Sequence, residues 1–180
     1  MFRDERNTSP VIPQVLETPT GLLGDTLARP LHDLRISVTD RCNFRCVYCM
    51  PKEVFDKDYA YLPQTSLLSF EEITRIARLF IAHGVEKLRL TGGEPLLFRG
   101  IVEVVRRIHA LGVEDLAMTT NASRLAPLAV PLREAGLSRV NVSIDSLDHG
   151  TFAKLTRGGD LAEVMEGIDA ALAAGFAEVK

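Results

Sequence analysis

All three cysteines of the chain fall within one short run, Cys42-Asn-Phe-Arg-Cys-Val-Tyr-Cys49, and no other stretch constrains the molecule as strongly. Three thiolates on one loop can close around a soft metal centre, with zinc, copper(I) or an iron-sulfur cluster as candidates. A structural zinc site takes four ligands. His32 and His83, the nearest histidines, lack the close spacing of a zinc finger. A four-iron cluster held by three cysteines leaves one iron without a protein ligand and free for chemistry. Other readings stay open at this point. Cys46 and Cys49 form a C-x-x-C, the spacing of a thioredoxin-like redox pair, although here it does not open a helix after a buried strand. Zinc completed by a residue distant in sequence, or three unrelated thiols, are further alternatives. The odd cysteine count argues against a disulfide framework.

With 180 residues, of which 46% are hydrophobic, the chain can bury one core and form one domain. A net charge of -3 gives no electrostatic footprint for nucleic acid or an anionic membrane. No apolar run approaches the roughly 20 residues of a membrane span, and Met1 to Pro10 lacks the apolar centre of a signal peptide. A cytoplasmic location is expected, where thiols stay reduced.

Pro10, Pro13, Pro19 and Pro30 interrupt residues 1–30, which are expected to form an irregular N-terminal extension to a domain over residues 31–180. Leu34 to Thr39 alternates and predicts the first strand, with Leu34, Ile36 and Val38 on one face and Arg35, Ser37 and Thr39 on the other. Asp40 to Ser69 shows no periodic element, and a loop of that length carrying three cysteines is read as functional. Ser69-Phe-Glu-Glu72 is a capping box opening a helix that stops at Gly84. Lys87 to Thr91 predicts the second strand, ended by Gly92-Gly-Glu-Pro95. A second amphipathic helix follows from Ile101 to Leu111, then a third strand from Asp115 to Thr119. Leu125, Leu128, Ala129 and Leu132 predict a third helix, shortened or kinked by Pro131. The fourth strand is expected from Arg139 to Asp145, and Asp148 caps a short helix to about Leu155. Asp160 and Glu163 form a capping pair for a last helix, and a fifth strand begins near Ala177, as though the chain were truncated within it.

Strands alternating with helices predict βαβ units on a parallel sheet. Buried parallel strands are apolar on both faces, whereas here one face of each strand is polar. That pattern predicts helices on one side of a curved sheet and an open, polar side for a ligand. Gly92 and Gly93 would let backbone approach that ligand and offer unpaired N-H and C=O groups, and Glu94 would accept from an ammonium. Arg35 and Arg89 are fork donors suited to phosphate. Asn141, Ser143 and Asp145 are read alternatively as hydrogen-bonding one another beneath the site. His32, His83, His109 and His149 are read as surface or helix-end residues.

The run from Asp33 to Pro51, with its C-x3-C-x2-C and an aromatic residue before the last cysteine, resembles the radical S-adenosylmethionine (SAM) superfamily. More narrowly, it resembles the GTP 3′,8-cyclase family, also called molybdenum cofactor biosynthesis protein A. The likeness extends through Lys52-Glu-Val-Phe55, Arg89 to Pro95, Thr119-Thr-Asn121 and Asn141 to Asp145, and spans roughly Leu27 to Lys180. It implies a partial (β/α)6 barrel, here its first four βα units and the start of strand five. It also implies a 4Fe-4S cluster on Cys42, Cys46 and Cys49, and SAM as second cofactor, cleaved to methionine and a 5′-deoxyadenosyl radical that attacks GTP. By the same resemblance Tyr48, Gly93 and Ser143 contact SAM, while Arg35, Arg89, Thr119 and Lys180 contact GTP, and no catalytic residue is expected beyond the cluster and SAM site. An electron donor is implied as a partner, a homodimer is compatible, and a second 4Fe-4S cluster is expected in a C-terminal region that residues 1–180 lack. Another radical SAM enzyme, such as a peptide-modifying one, and a non-catalytic iron-sulfur protein are the competing functions.

Overall fold

The computed structural model describes residues 22–27 and 29–180. The expected extension over residues 1–30 lies outside these for residues 1–21 and Ala28. The remainder is a turn in which the Asp25 carboxylate accepts from the Leu27 and Arg29 backbone N-H groups, docked through Leu23 N-H onto the His83 carbonyl.

Five parallel strands form one sheet in sequential order: β1 (Asp33–Ser37), β2 (Lys87–Thr91), β3 (Asp115–Thr120), β4 (Arg139–Val142) and β5 (Glu178–Val179). Between them run α1 (Phe70–Ala82), α2 (Ile101–His109), α3 (Ala129–Glu134), α4 (His149–Thr156) and α5 (Leu161–Ala173). The capping box forms as the residue types dictate, with Ser69 accepting from Glu72 N-H and Glu72 accepting from Ser69 N-H.

Alternation decides the layers. Leu88, Leu90, Leu116, Met118 and Val140 point to one side and are buried with Ile73 and Ala77 of α1, Val104, Val105 and Ile108 of α2, Leu132 of α3 and Val164 of α5. The opposite face carries a row set by register: Arg35 beside Arg89, then Ala117, Arg139 and Glu178. Arg35 and Ser37 are exposed and Arg89, Thr91, Thr119 and Asn141 half-buried, so this face remains polar and accessible. The expected one-sided covering of the sheet is what forms.

Several boundaries differ from expectation. β4 ends at Val142 rather than Asp145; the register partner of Val142 is Thr120 of β3, and its N-H donates to the Lys180 carbonyl just past β5. Thr39, expected on the open polar face, is 5% exposed, since the turn after β2 closes over it. Leu125 reaches the core from a turn, and α3 begins only at Ala129. Pro131 falls in the first turn of that helix, where its missing N-H leaves no bond unmade. Asp160 caps α5 by accepting from Ala162 N-H, without the reciprocal bond expected of Glu163.

α5 seats on the end of β3 at a glycine: a Cβ on Gly167 would stand 2.2 Å from the Ala122 carbonyl oxygen. Gly167→Ala is therefore expected to lower stability by about 1–3 kcal/mol, read as an earlier urea midpoint. An unchanged midpoint would contradict this seating.

Candidate functional site

Ligands of open parallel sheets sit beyond the carboxyl ends of the strands, and the cysteine loop lies there. Its start is fixed to the turn after β2. Val38 N-H donates to the Thr91 carbonyl at 2.9 Å, Gly93 N-H to the Thr39 carbonyl at 2.7 Å and Glu94 N-H to the Arg41 carbonyl at 2.7 Å. Only glycine permits the approach, because a Cβ on Gly92 would lie 2.6 Å from the Thr39 oxygen and one on Gly93 2.3 Å from the Arg41 oxygen. The glycines are thus needed for chain-on-chain contact. The expectation that the N-H groups of Gly92 and Gly93 stay unpaired for a ligand is corrected for Gly93, whose N-H, like that of Glu94, is committed to the loop. The Gly92 and Gly93 carbonyls accept no hydrogen bond among the described residues, and both glycines line the cavity described below.

The middle of the loop is tied to the end of α4 by Arg45 N-H to the Thr156 carbonyl and Val47 N-H to the Leu155 carbonyl. Phe44 packs edge-on against Phe152 with ring centroids 5.9 Å apart. Cys49 and Met50 N-H groups both donate to the Cys46 carbonyl, a tight turn joining the last two cysteines. The Arg45 guanidinium holds the loop from within, donating to the carbonyls of Cys42, Phe44 and Phe55.

A cavity of about 240 Å³ opens at this end of the sheet. Cys42, Cys46 and Cys49 line it together with Tyr48, Gly92, Gly93, Glu94, Thr119 and Ser143, so nine of the positions singled out from sequence converge. Arg35 and Arg89 do not reach it. They line a second cavity of about 240 Å³ on the same polar face, with Asp33, Lys87 and Arg139. Lys180 lines neither, and its ammonium is 3.0 Å from Glu178.

Burial raises the Cys42 thiol above its ordinary pKa, and the Phe44 N-H on its sulfur lowers it by less. Cys46 is raised for the same first reason. Desolvated thiols of this kind ionise when a metal supplies the opposing charge. Among the described residues no three His, Cys, Asp or Glu side chains converge as ligands of one ion. A cluster places each thiolate on a different iron, so it does not require that convergence, and the soft donor set suits it.

Glu94 and the group Asn141, Ser143 and Asp145 act otherwise than expected. Glu94 is 1% exposed, and its carboxylate accepts from Leu96 N-H at 3.0 Å, Thr120 Oγ1 at 2.6 Å and Asn121 N-H at 2.7 Å. Burial pushes its pKa up and the three donors pull it down, burial being the larger effect. The side chain is a brace between the ends of β2 and β3, not a free acceptor for an ammonium. Asp145, Ser143 and Asn141 do not hydrogen-bond one another; Asp145 accepts from Tyr48 Oη at 2.6 Å, which holds the Tyr48 proton and raises its pKa, while Asn141 Oδ1 is buried without a partner among the described residues. The histidines fall at the edges expected of them, with His32 between Asp33 and Glu86, His83 capping α1, and His109 and His149 ending α2 and opening α4. Sequence reasoning assigned no role to Asn43, Asn121 or Ser123, although an apolar strand ending in Thr-Thr-Asn-Ala-Ser was the available signal.

The fold is thus a one-sided parallel α/β sheet that carries three thiols on one loop at its strand ends, a donor set suited to a soft metal centre. The family model of the radical SAM superfamily matches residues 36–180, and the chain belongs to that superfamily. It is 56% identical over 158 residues to the GTP 3′,8-cyclase of Acidothermus cellulolyticus, covering 87% of this chain and 44% of that protein. To the GTP 3′,8-cyclase of Marinobacter nauticus it is 51% identical over 162 residues, covering 90% and 48%. The chain thus spans about half the length of these curated relatives. In structure it resembles Streptococcus suis SuiB bound to its precursor peptide SuiA, with a TM-score of 0.64, 19% identity and coverage of 82% and 31%. Methylornithine synthase (PylB) gives 0.61, 17%, 82% and 42%. These likenesses show the fold.

Glu94→Gln tests the brace. Whichever oxygen becomes NH2, it then faces a backbone N-H, of Leu96 or of Asn121. Stability should fall by about 1–3 kcal/mol in urea denaturation, and a variant as stable as the parent would contradict the assignment.

Proposed function

We propose that this chain is the SAM- and nucleotide-binding part of a GTP 3′,8-cyclase, which converts GTP to (8S)-3′,8-cyclo-7,8-dihydroguanosine 5′-triphosphate in molybdenum cofactor biosynthesis. The observation that carries the reading is the charge distribution on the polar face. Arg35 and Arg89 are neighbours in register, and among the described residues neither has a carboxylate partner. Arg139 in the same row is held by Asp115 and Glu178. Asp33 lines the same cavity and feels the Arg89 charge, but it forms no ion pair with either guanidinium, and two such forks on one polar face suit an anion with several oxygens, as a triphosphate has. Identity near 50% to proteins named GTP 3′,8-cyclase supports the same substrate.

Cys42, Cys46 and Cys49 would hold a 4Fe-4S cluster, which when reduced supplies reductive cleavage of SAM at its open iron. The chain's own residues prepare that site. The free Gly92 and Gly93 carbonyls can accept from the SAM ammonium, while Tyr48 and Ser143 border the same cavity. Thr119 lies on the same polar face two residues beyond Ala117, the register neighbour of Arg89. Lys180 would exchange Glu178 for substrate. A one-electron donor, a second cluster supplied outside these residues and a cytoplasmic location belong to the same reading, which is compatible with a homodimer; among the described residues no helix is long and apolar enough to cross a membrane.

Arg89→Ala is expected to weaken GTP binding about 10- to 100-fold, the loss of a charged hydrogen-bonding group, while iron content and SAM binding persist. Equilibrium binding under anaerobic conditions checks it, and unchanged GTP affinity would refute the substrate. Cys46→Ser should abolish cluster uptake, seen as loss of bound iron and of visible absorbance. Retention of a full cluster would refute the ligand set.

A further inference from the structure

We propose that Asn121 is a positioning and tuning residue that makes the cluster easier to reduce, through an N-H directed at the sulfur of Cys42. The proposal rests on the reading that the three cysteines hold a 4Fe-4S cluster.

Asn121 follows β3 and is 8% exposed. Its side chain closes a ring of three. Asn121 Nδ2 donates to Asn43 Oδ1 at 3.0 Å, Asn43 Nδ2 donates to Ser123 Oγ at 2.8 Å, and Ser123 Oγ donates to Asn121 Oδ1 at 2.8 Å. The ring fixes which way the amide points. Ser123 N-H also reaches Asn121 Oδ1, at 3.1 Å, and a backbone N-H can only donate, so the atom facing it is the oxygen. The NH2 group must then face the cysteine loop. One of its hydrogens goes to Asn43, and the other lies toward Cys42 Sγ, 4.0 Å from the nitrogen. That is the outer limit of an N-H···S bond to a neutral thiol. A thiolate carrying cluster charge attracts the donor more strongly.

The backbone around Asn121 is equally determined. Its N-H is held by the buried carboxylate of Glu94, and Ala122 beyond it, fully buried, takes the left-handed conformation at φ 62° with its N-H on Thr120 Oγ1. A non-glycine residue there is strained, and strain of this kind persists only where the surroundings impose it. Glu94, Thr120, Asn121 and Ser123 make up a buried polar cluster at the rim of the cysteine cavity, on the side of Cys42. Phe44 N-H donates to the same sulfur at 3.4 Å, so Cys42 lies between two donors.

Reduction adds one electron to the cluster, supplied by a low-potential one-electron donor, and in this step no bond breaks and no proton moves. The added negative charge spreads onto the thiolates. N-H groups aimed at a ligand sulfur stabilise that charge and raise the reduction potential.

The test is a redox titration of the anaerobically reconstituted protein, parent against Asn121→Ala, with dithionite as reductant and the reduced cluster followed by electron paramagnetic resonance. Reduction of the variant should be about tenfold less favourable, a midpoint about 59 mV more negative for one electron. In D2O an exchangeable deuteron coupled to the reduced cluster should disappear from the electron-nuclear double resonance spectrum. Should Asn121→Ala hold less iron than the parent, Asn121→Ser provides the same comparison, since its hydroxyl still accepts from Ser123 N-H but is too short to reach Cys42. An unmoved midpoint at full iron content would overturn the proposal and leave Asn121 with a structural role alone. A parent protein that takes up no cluster would refute the cluster assignment, and this proposal with it.

Discussion

The arrangement at the mouth of the sheet depends on a contact between two stretches of backbone. Gly92 and Gly93 lie so close to Thr39 and Arg41 that no side chain fits between them, and two hydrogen bonds of 2.7 Å join the segments. Net, such bonds contribute only about 0.5–1.5 kcal/mol each, but they set the height of the cysteine loop above β1 and β2. The other side of the loop is held to the last turn of α4, which Asp148 caps and Phe152 seats in the core. The long segment between β1 and α1, whose regular structure is a single 3-10 turn at Gln64–Ser66, is thereby anchored at its chemically important end. Glu94, whose own N-H makes one of the two bonds, turns its carboxylate inward and carries the same constraint across to β3.

Charge on the polar face follows a comparable division. Toward β4 and β5, Arg139 is compensated by Asp115 and Glu178, and that part of the face is close to neutral. Toward β1 and β2, two arginines stand side by side with no carboxylate partner among the described residues. Like charges in neighbouring register positions oppose one another, and an anion bound across both relieves the repulsion as well as making its own bonds. The cysteine-lined cavity and the arginine row share one face of one sheet, with the cysteines at the strand ends and the guanidiniums farther down.

Much of this was readable from the residue order. The alternation of Leu88 and Leu90 against Arg89 and Thr91 assigns both the strand and its two faces, and the capping residues Ser69 and Asp148 mark helix starts that form as written. Nine of the singled-out positions meet in one cavity because four of them, the cysteines and Tyr48, share a loop and the others lie at or next to strand ends. Other features depend on contacts between distant segments, and local pattern does not contain them. Thr39 alternates as a surface residue but is covered by a turn more than fifty positions later. The Gly-Gly pair looks the same whether it admits a ligand or another backbone, and here the partner is Thr39 to Arg41. Glu94 carries a charge that suggests solvent or ligand, yet three donors from three other residues satisfy it in the interior. The ring of Asn43, Asn121 and Ser123 joins positions about eighty apart and leaves no periodic trace.

In the proposed enzyme this loop presents an iron-sulfur cluster with one iron open to SAM. Electron paramagnetic resonance of the anaerobically reconstituted and reduced protein, recorded with and without SAM, addresses it most directly. The expected result is a 4Fe-4S signal whose shape changes on adding SAM, because the cofactor's amino acid group would take the open iron. A cluster signal indifferent to SAM, or a protein that retains only zinc, would contradict it.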